Sequence, residues 1–213
     1  VSTEDSNMEK LVFKVIDKEE DLKMFLGKFF NYTNVNLPLN YAQGAKVIGV
    51  YIEEVMVAGY MLVTTPNFRS LLFVPDKQKK SKSFFRNDPY EMMEVNGLWI
   101  GSQIKEPRLQ YRIWMQIIKD IFLSKKKYLL LMGNSKNRNV EYLHSLTNPE
   151  ILYMGSPALL PGDESFNTIR VAYTTRWKLV SNLPKYWLEY RSRERRKVQS
   201  PKSKTLTHTS TMA

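Results

Sequence analysis

The hydrophobic positions along the chain change period several times, and each change marks an element. LVFKVI (11–16) alternates as a strand, and DKEEDLKMFLGKFFNY (17–32) then carries Leu22, Phe25, Leu26, Phe29 and Phe30 at helical spacing. Asp17, followed three residues on by Glu20, has the form of a capping box for that helix. NVNLPLNYAQGA (34–45) has no period and is expected to be an irregular loop. KVIGVYIEEVMVAGYMLVT (46–64) gives two strand-like runs around a Glu-Glu turn, a hairpin. Residues 66–90 are expected to hold a short strand and an exposed basic loop, DKQKKSKSFFR. EMMEVNGLWIGSQI (91–104) is a fourth strand, and Gly97 within it signals a bulge or a close backbone approach.

The strongest helical pattern is KEPRLQYRIWMQIIKDIFLSKK (105–126). Pro107 suits its first turn, and Leu109, Ile113, Ile117 and Ile121 step at i, i+4. Trp114, Ile118 and Phe122 widen that stripe, so the helix is expected to pack on two sides. YLLLMGN (128–134) is a continuous apolar run of the kind found in strands buried on both faces. SKNRNVEYLHSL (135–146) reads as a short helix and EILYMGS (150–156) as a sixth strand. PALLPGDESFN (157–167) reads as a loop and TIRVAYTTRWKLV (168–180) as a seventh strand. LPKYWLEYRSRERRKVQS (183–200) reads as a basic helix.

Composition narrows the chemistry. The 213 residues contain no cysteine and two histidines, His144 and His208, which excludes disulfides, thiol catalysis and a multi-histidine metal site. No apolar run is long enough to span a membrane, and the polar, acidic start VSTEDSNMEK does not read as a secretory signal, so a cytoplasmic location is expected. The net charge of +11 is uneven: Lys185–Lys204 holds eight Lys/Arg and two Glu, a net of +6. Tyr186, Trp187 and Tyr190 are interleaved with those arginines. That mixture suits a nucleic acid, an anionic membrane surface or an acidic protein, and it equally suits a helix whose aromatics pack inward. The expected organisation is a disordered lead-in at 1–10, one α/β domain at 11–183 and a basic, partly disordered tail at 184–213.

The order of strands and helices, with LWIGSQIKEPRLQYRIWMQII after the hairpin and LLLMGNSKNRNVEYLHSL further on, resembles the GNAT (Gcn5-related N-acetyltransferase) acyltransferase superfamily. The resemblance spans roughly residues 11–180. It implies one α/β (α+β) domain with a mixed, twisted sheet of about seven strands flanked by helices. It also implies transfer of an acyl group from acetyl-CoA or another acyl-CoA to an amine, without a metal. The family holds the CoA pyrophosphate on amides at a helix start, on a pattern with small residues. Here that places Ile100, Gly101, Ser102 and Arg108 at the pyrophosphate, with Tyr111 and Ile113 standing where the small residues would be. The resemblance puts Asn137 at the family's asparagine. It puts His144, or Tyr142 in another helix register, where a tyrosine protonates the departing thiolate, and Glu94 near a carboxylate that deprotonates the amine. A working transferase is then expected to show a cleft between the fourth and fifth strands with free amides at 102–108. A non-catalytic GNAT-fold interaction protein acting through its basic tail is expected to fill that cleft with Leu109, Tyr111 or Trp114.

Overall fold

The computed structural model describes residues 10–134, 138–158 and 168–199. Residues 1–9, 135–137 (Asn137 among them), 159–167 and those after Gln199 lie outside the described residues. Among the described residues seven strands form one sheet in the order β1-β2-β3-β4-β5-β7-β6. The strands are β1 (Leu11–Ile16), β2 (Lys46–Ile52), β3 (Val55–Val63), β4 (Met92–Ile100), β5 (Tyr128–Asn134), β6 (Glu150–Gly155) and β7 (Ile169–Thr175). Every neighbouring pair is antiparallel except β4 and β5, which run parallel. The helices are α1 (Glu19–Thr33), α2 (Leu39–Gln43), α3 (Arg69–Leu72), α4 (Asp76–Ser81), α5 (Pro107–Leu123), α6 (Arg138–Ser145), α7 (Arg176–Ser181) and α8 (Leu183–Gln199).

Two apolar layers sandwich the sheet. On one face α1 buries Leu22, Phe25 and Phe29, joined by Tyr41 of α2 and by Phe68, Phe73 and Phe84 from the β3–β4 connection. On the other, α5 buries Leu109, Ile113, Ile117 and Ile121, the stripe read from the sequence, and α7 adds Leu179. Tyr60 of β3 donates to Asp120 Oδ2 at 2.6 Å and so fastens α5 to the sheet by a polar bond as well.

The differences from the sequence pattern are local. Lys18, not Asp17, precedes α1, and no side chain caps it; Glu19, Glu20 and Asp21 oppose the helix dipole from the first turn instead. The stretch 34–45 contains the short α2. Residues 66–90 form no strand: α3, α4 and two 3₁₀ turns occupy them. The expected basic loop is anchored, because Phe84 is buried and stacks on Tyr173 with ring centroids 4.1 Å apart, and Lys82 donates to the Ile151 carbonyl at 2.9 Å. The seventh strand stops at Thr175, whose hydroxyl accepts from the Lys178 amide and so starts α7.

A candidate acyl-transfer cleft

The site begins with a bulge. Gly97 in β4 has φ +59°, a conformation that L side chains rarely adopt, and an added Cβ would stand 3.0 Å from Met61 Cε. Asn96 Oδ1 accepts from the Gly97 amide at 2.7 Å and holds the kink. Beyond it β4 follows β3, with Gly59 opposite Trp99 and Ala58 opposite Ile100, after a shift in register. β5 does not follow. The two parallel strands are paired only from Met92–Tyr128 to Glu94–Leu130, then diverge.

The divergence leaves a cavity of about 130 Å³ under α5 and α6. Val95 and Leu98 line it from β4, Leu129 and Leu131 from β5, Ile117 and Ile121 from α5, and Val140 and His144 from α6. α6 lies close to β5 at Gly133, where a Cβ would stand 3.0 Å from Val140 Cγ1. Trp114, Leu143 and Tyr186 line both this cavity and a shallower one of about 30 Å³ at the start of α5, so they form a neck between the two. Trp114 is thus among the side chains on the wall of the gap between β4 and β5.

His144 is the ionisable imidazole on the cavity wall. Arg170 Nη2 lies 3.3 Å from its Nδ1. A guanidinium has only donors, so Nδ1 accepts and the ring proton sits on Nε2. Burial first, and then the Arg170 charge, push its pKa down to about 4, so the imidazole is neutral at physiological pH. Arg170 is itself buried on β7 and pairs with Glu141 of α6 at 2.5 Å. This Glu141–Arg170–His144 cluster gave no sequence signal, because its members are 29 residues apart and meet only when β7 pairs with β5.

Glu94 lies on the opposite face, 3% exposed. Its Oε1 accepts from Tyr41 Oη at 2.6 Å and Asn96 Nδ2 at 2.8 Å, and its Oε2 from the Ser70 amide at 2.9 Å and Ser70 Oγ at 2.5 Å. Those four donors fill the lone-pair positions of a carboxylate, leaving none to take a proton from an amine. Glu94 thereby ties α2 and α3 to β4. Burial, and then the Glu94 charge, raise the Tyr41 pKa far above its usual value. The Tyr142 hydroxyl donates to Glu189 Oε2 of α8 at 2.8 Å, and Tyr142 is not among the residues lining the cavity.

The pyrophosphate positions are only partly available. The Gly101 amide donates to the Val57 carbonyl at 2.8 Å and the Ile104 amide to the Gly101 carbonyl at 3.0 Å. Ile100 is paired to Ala58, and Ser102 and Arg108 are exposed. Glu106 gives α5 no side-chain cap, so the amides of Arg108 and Leu109 have no acceptor within the helix. α8 stands beside them: Tyr190 stacks on Tyr111 at 4.6 Å, and Tyr186 reaches the neck. Residues 184–196 are therefore helix docked on the body of the domain, with Tyr186 and Tyr190 turned inward and Trp187 outward. With α8 docked, the groove left at the start of α5 has a volume of about 30 Å³. Asn137 lies outside the described residues.

No protein-family model matches this chain, and no curated protein matches it. Solved structures do. FeeM, an N-acyl amino acid synthase from uncultured soil microbes, superposes with a TM-score of 0.59 at 9% identity, covering 84% of this chain and 99% of that one. The ribosomal-protein-S18-alanine N-acetyltransferase from Escherichia coli gives 0.55 at 6% identity over 78% and 94%. An N-acetyltransferase from Staphylococcus aureus Mu50 gives 0.54 at 10% identity over 79% and 99%. At these identities the likeness establishes the fold, which is the GNAT acyltransferase fold expected from the element order. Among the described residues no group of three His, Cys, Asp or Glu could hold a metal ion, and no helix is long and apolar enough to cross a membrane.

Proposed function

We propose that this protein transfers an acyl group from a thioester to an amine, with the acyl end of the donor in the gap between β4 and β5. The observation that carries the reading is the three-residue parallel pairing that opens, past a glycine bulge, into a cavity with a neutral histidine on its wall. The amine nitrogen attacks the thioester carbonyl, the C–N bond forms, the C–S bond breaks, and the amine proton passes to solvent. His144 assists by donating from Nε2–H to the oxygen or sulfur on which negative charge develops. A neutral imidazole suits that task because it donates without first having to lose or gain a proton. Acyl-CoA serves as the donor once α8 has moved off α5; a shorter pantetheine thioester needs no such movement.

The test is release of free thiol from acetyl-CoA and from acetyl-pantetheine with a panel of amines. Turnover is expected with the short thioester, and His144→Ala is expected to lower it about a hundredfold, the usual loss for one donor to a developing oxyanion. Because His144 does not titrate until about pH 4, that loss is expected to be the same at pH 6 and pH 8. Tyr190→Ala, which removes the stack on Tyr111, is expected to improve acetyl-CoA more than acetyl-pantetheine.

A second reading, a non-catalytic GNAT-fold interaction protein, is favoured by that same docking of α8 at the start of α5. Its outer face offers Trp187 with Arg191 stacked 4.8 Å from the ring centroid, beside the exposed Leu188. Absence of thiol release with every donor, in the wild type and in Tyr190→Ala, would favour it.

A further inference from the structure

We infer that the cavity beneath the β4–β5 gap is a subsite for the hydrocarbon tail of an acyl group of about six carbons, so that the preferred donor is not an acetyl thioester. This rests on the acyl-transfer reading and names its substrate class. Among the described residues no Asp, Glu, Lys or Arg side chain lines the cavity, and most of its wall is aliphatic. Thr147 Oγ1 donates to the His144 carbonyl at 2.8 Å and His144 Nδ1 faces Arg170, which leaves the His144 Nε2–H and the Tyr186 hydroxyl as the few polar groups on the wall. A hydrophilic acceptor would leave its own polar groups unpaired, and apolar cavities of this kind stay dry. The compatible occupant is hydrocarbon.

An engineered apolar cavity of about 150 Å³ holds benzene, so 130 Å³ corresponds to about six carbons and far exceeds an acetyl methyl. The cavity lies directly past Glu94 and Leu130, where the strands part, with His144 on its wall. Trp114 and Ile121, two turns apart on α5, run along one side, about 10 Å at the rise of a helix. A hydrocarbon tail lying along that side reaches from Trp114 to Ile121, with Leu179 also on the wall.

Acetyl- and hexanoyl-N-acetylcysteamine thioesters, titrated into the full chain carrying labelled Ile, Leu and Val methyl groups, test this by NMR. Each buried methylene is worth about fourfold in affinity, so the hexanoyl thioester is expected to bind on the order of a hundredfold more tightly. The methyl signals of Ile117, Ile121 and Leu179 are expected to shift with it. Val95→Phe, which fills the cavity, is expected to erase that preference, while Ile117→Ala, which enlarges it, moves the preference to octanoyl. Opposite effects of filling and enlarging cannot both come from misfolding. Equal binding of the two thioesters, or shifts confined to methyl groups elsewhere, overturns the subsite. Thiol release measured on the same samples reports on transfer separately: turnover without chain preference removes only the subsite, and chain-dependent binding without turnover removes only the transfer reading.

Discussion

Glu94→Ala is expected to destabilise the protein by about 3–5 kcal/mol, with a correspondingly lower urea midpoint. The figure follows from what the carboxylate does. Removing it leaves the Tyr41 and Ser70 hydroxyls and the Ser70 amide without their acceptor in a buried place, while Asn96 Nδ2 keeps only the Tyr41 hydroxyl at 3.2 Å. Each orphaned donor costs about 1–3 kcal/mol unless water reaches it, and breaking a buried charged network costs 3–5 kcal/mol. The Arg69 guanidinium, whose pKa burial lowers and whose neighbours Tyr41 and Glu94 partly restore, would also lose its nearby anion. Glu94→Gln keeps the shape but sets an NH₂ group against donors on one side, so a smaller loss, about 1–3 kcal/mol, is expected. A loss below 1 kcal/mol for the alanine variant would refute this account of Glu94.

Stability is also expected to fall as the solution is acidified, by about 3 kcal/mol from His144 alone. Its folded pKa of about 4 lies below the ordinary value of 6.5. The unfolded chain therefore takes up a proton that the folded one refuses. At pH 7 both states are neutral and nothing is lost. The loss begins as pH drops through 6.5 and is complete below about 4, at 1.36 kcal/mol per unit of separation. Carboxylates titrate over part of this range, so the comparison is with His144→Leu, whose profile is expected to be flatter between pH 6.5 and 5. Parallel profiles for the two proteins would show that His144 accepts its proton equally well folded and unfolded.

The parts of this molecule legible in its sequence are those set by local period. The α5 stripe of Leu109, Ile113, Ile117 and Ile121 faces the sheet as the spacing requires, and the glycine inside the fourth strand marks the bulge that opens the cleft. The short helices between β3 and β4 were not legible. Their backbone is held by Glu94 and by Phe84 against Tyr173, contacts that close over 24 and 89 residues. The candidate site divides in the same way. His144 could be placed from the element order, and the structure sets it on the cavity wall. Its partner Arg170, and the neck residue Tyr186, enter through pairing and docking that no local window contains. Glu94 shows the converse: a carboxylate on a strand gives no sign in sequence of how many donors will gather around it.

The short parallel pairing between β4 and β5 also governs how the protein should respond to force. The β2–β3 and β5–β7 ladders each hold seven registered pairs, whereas β4 and β5 share three. The sheet is mechanically two antiparallel plates, β1 to β4 and β5-β7-β6, riveted over Met92–Glu94 and bridged by α5. Tension applied between the outermost strands, β1 and β6, is expected to part the plates at that seam first. In a single-molecule pulling experiment this would give an early extension step with both plates still folded.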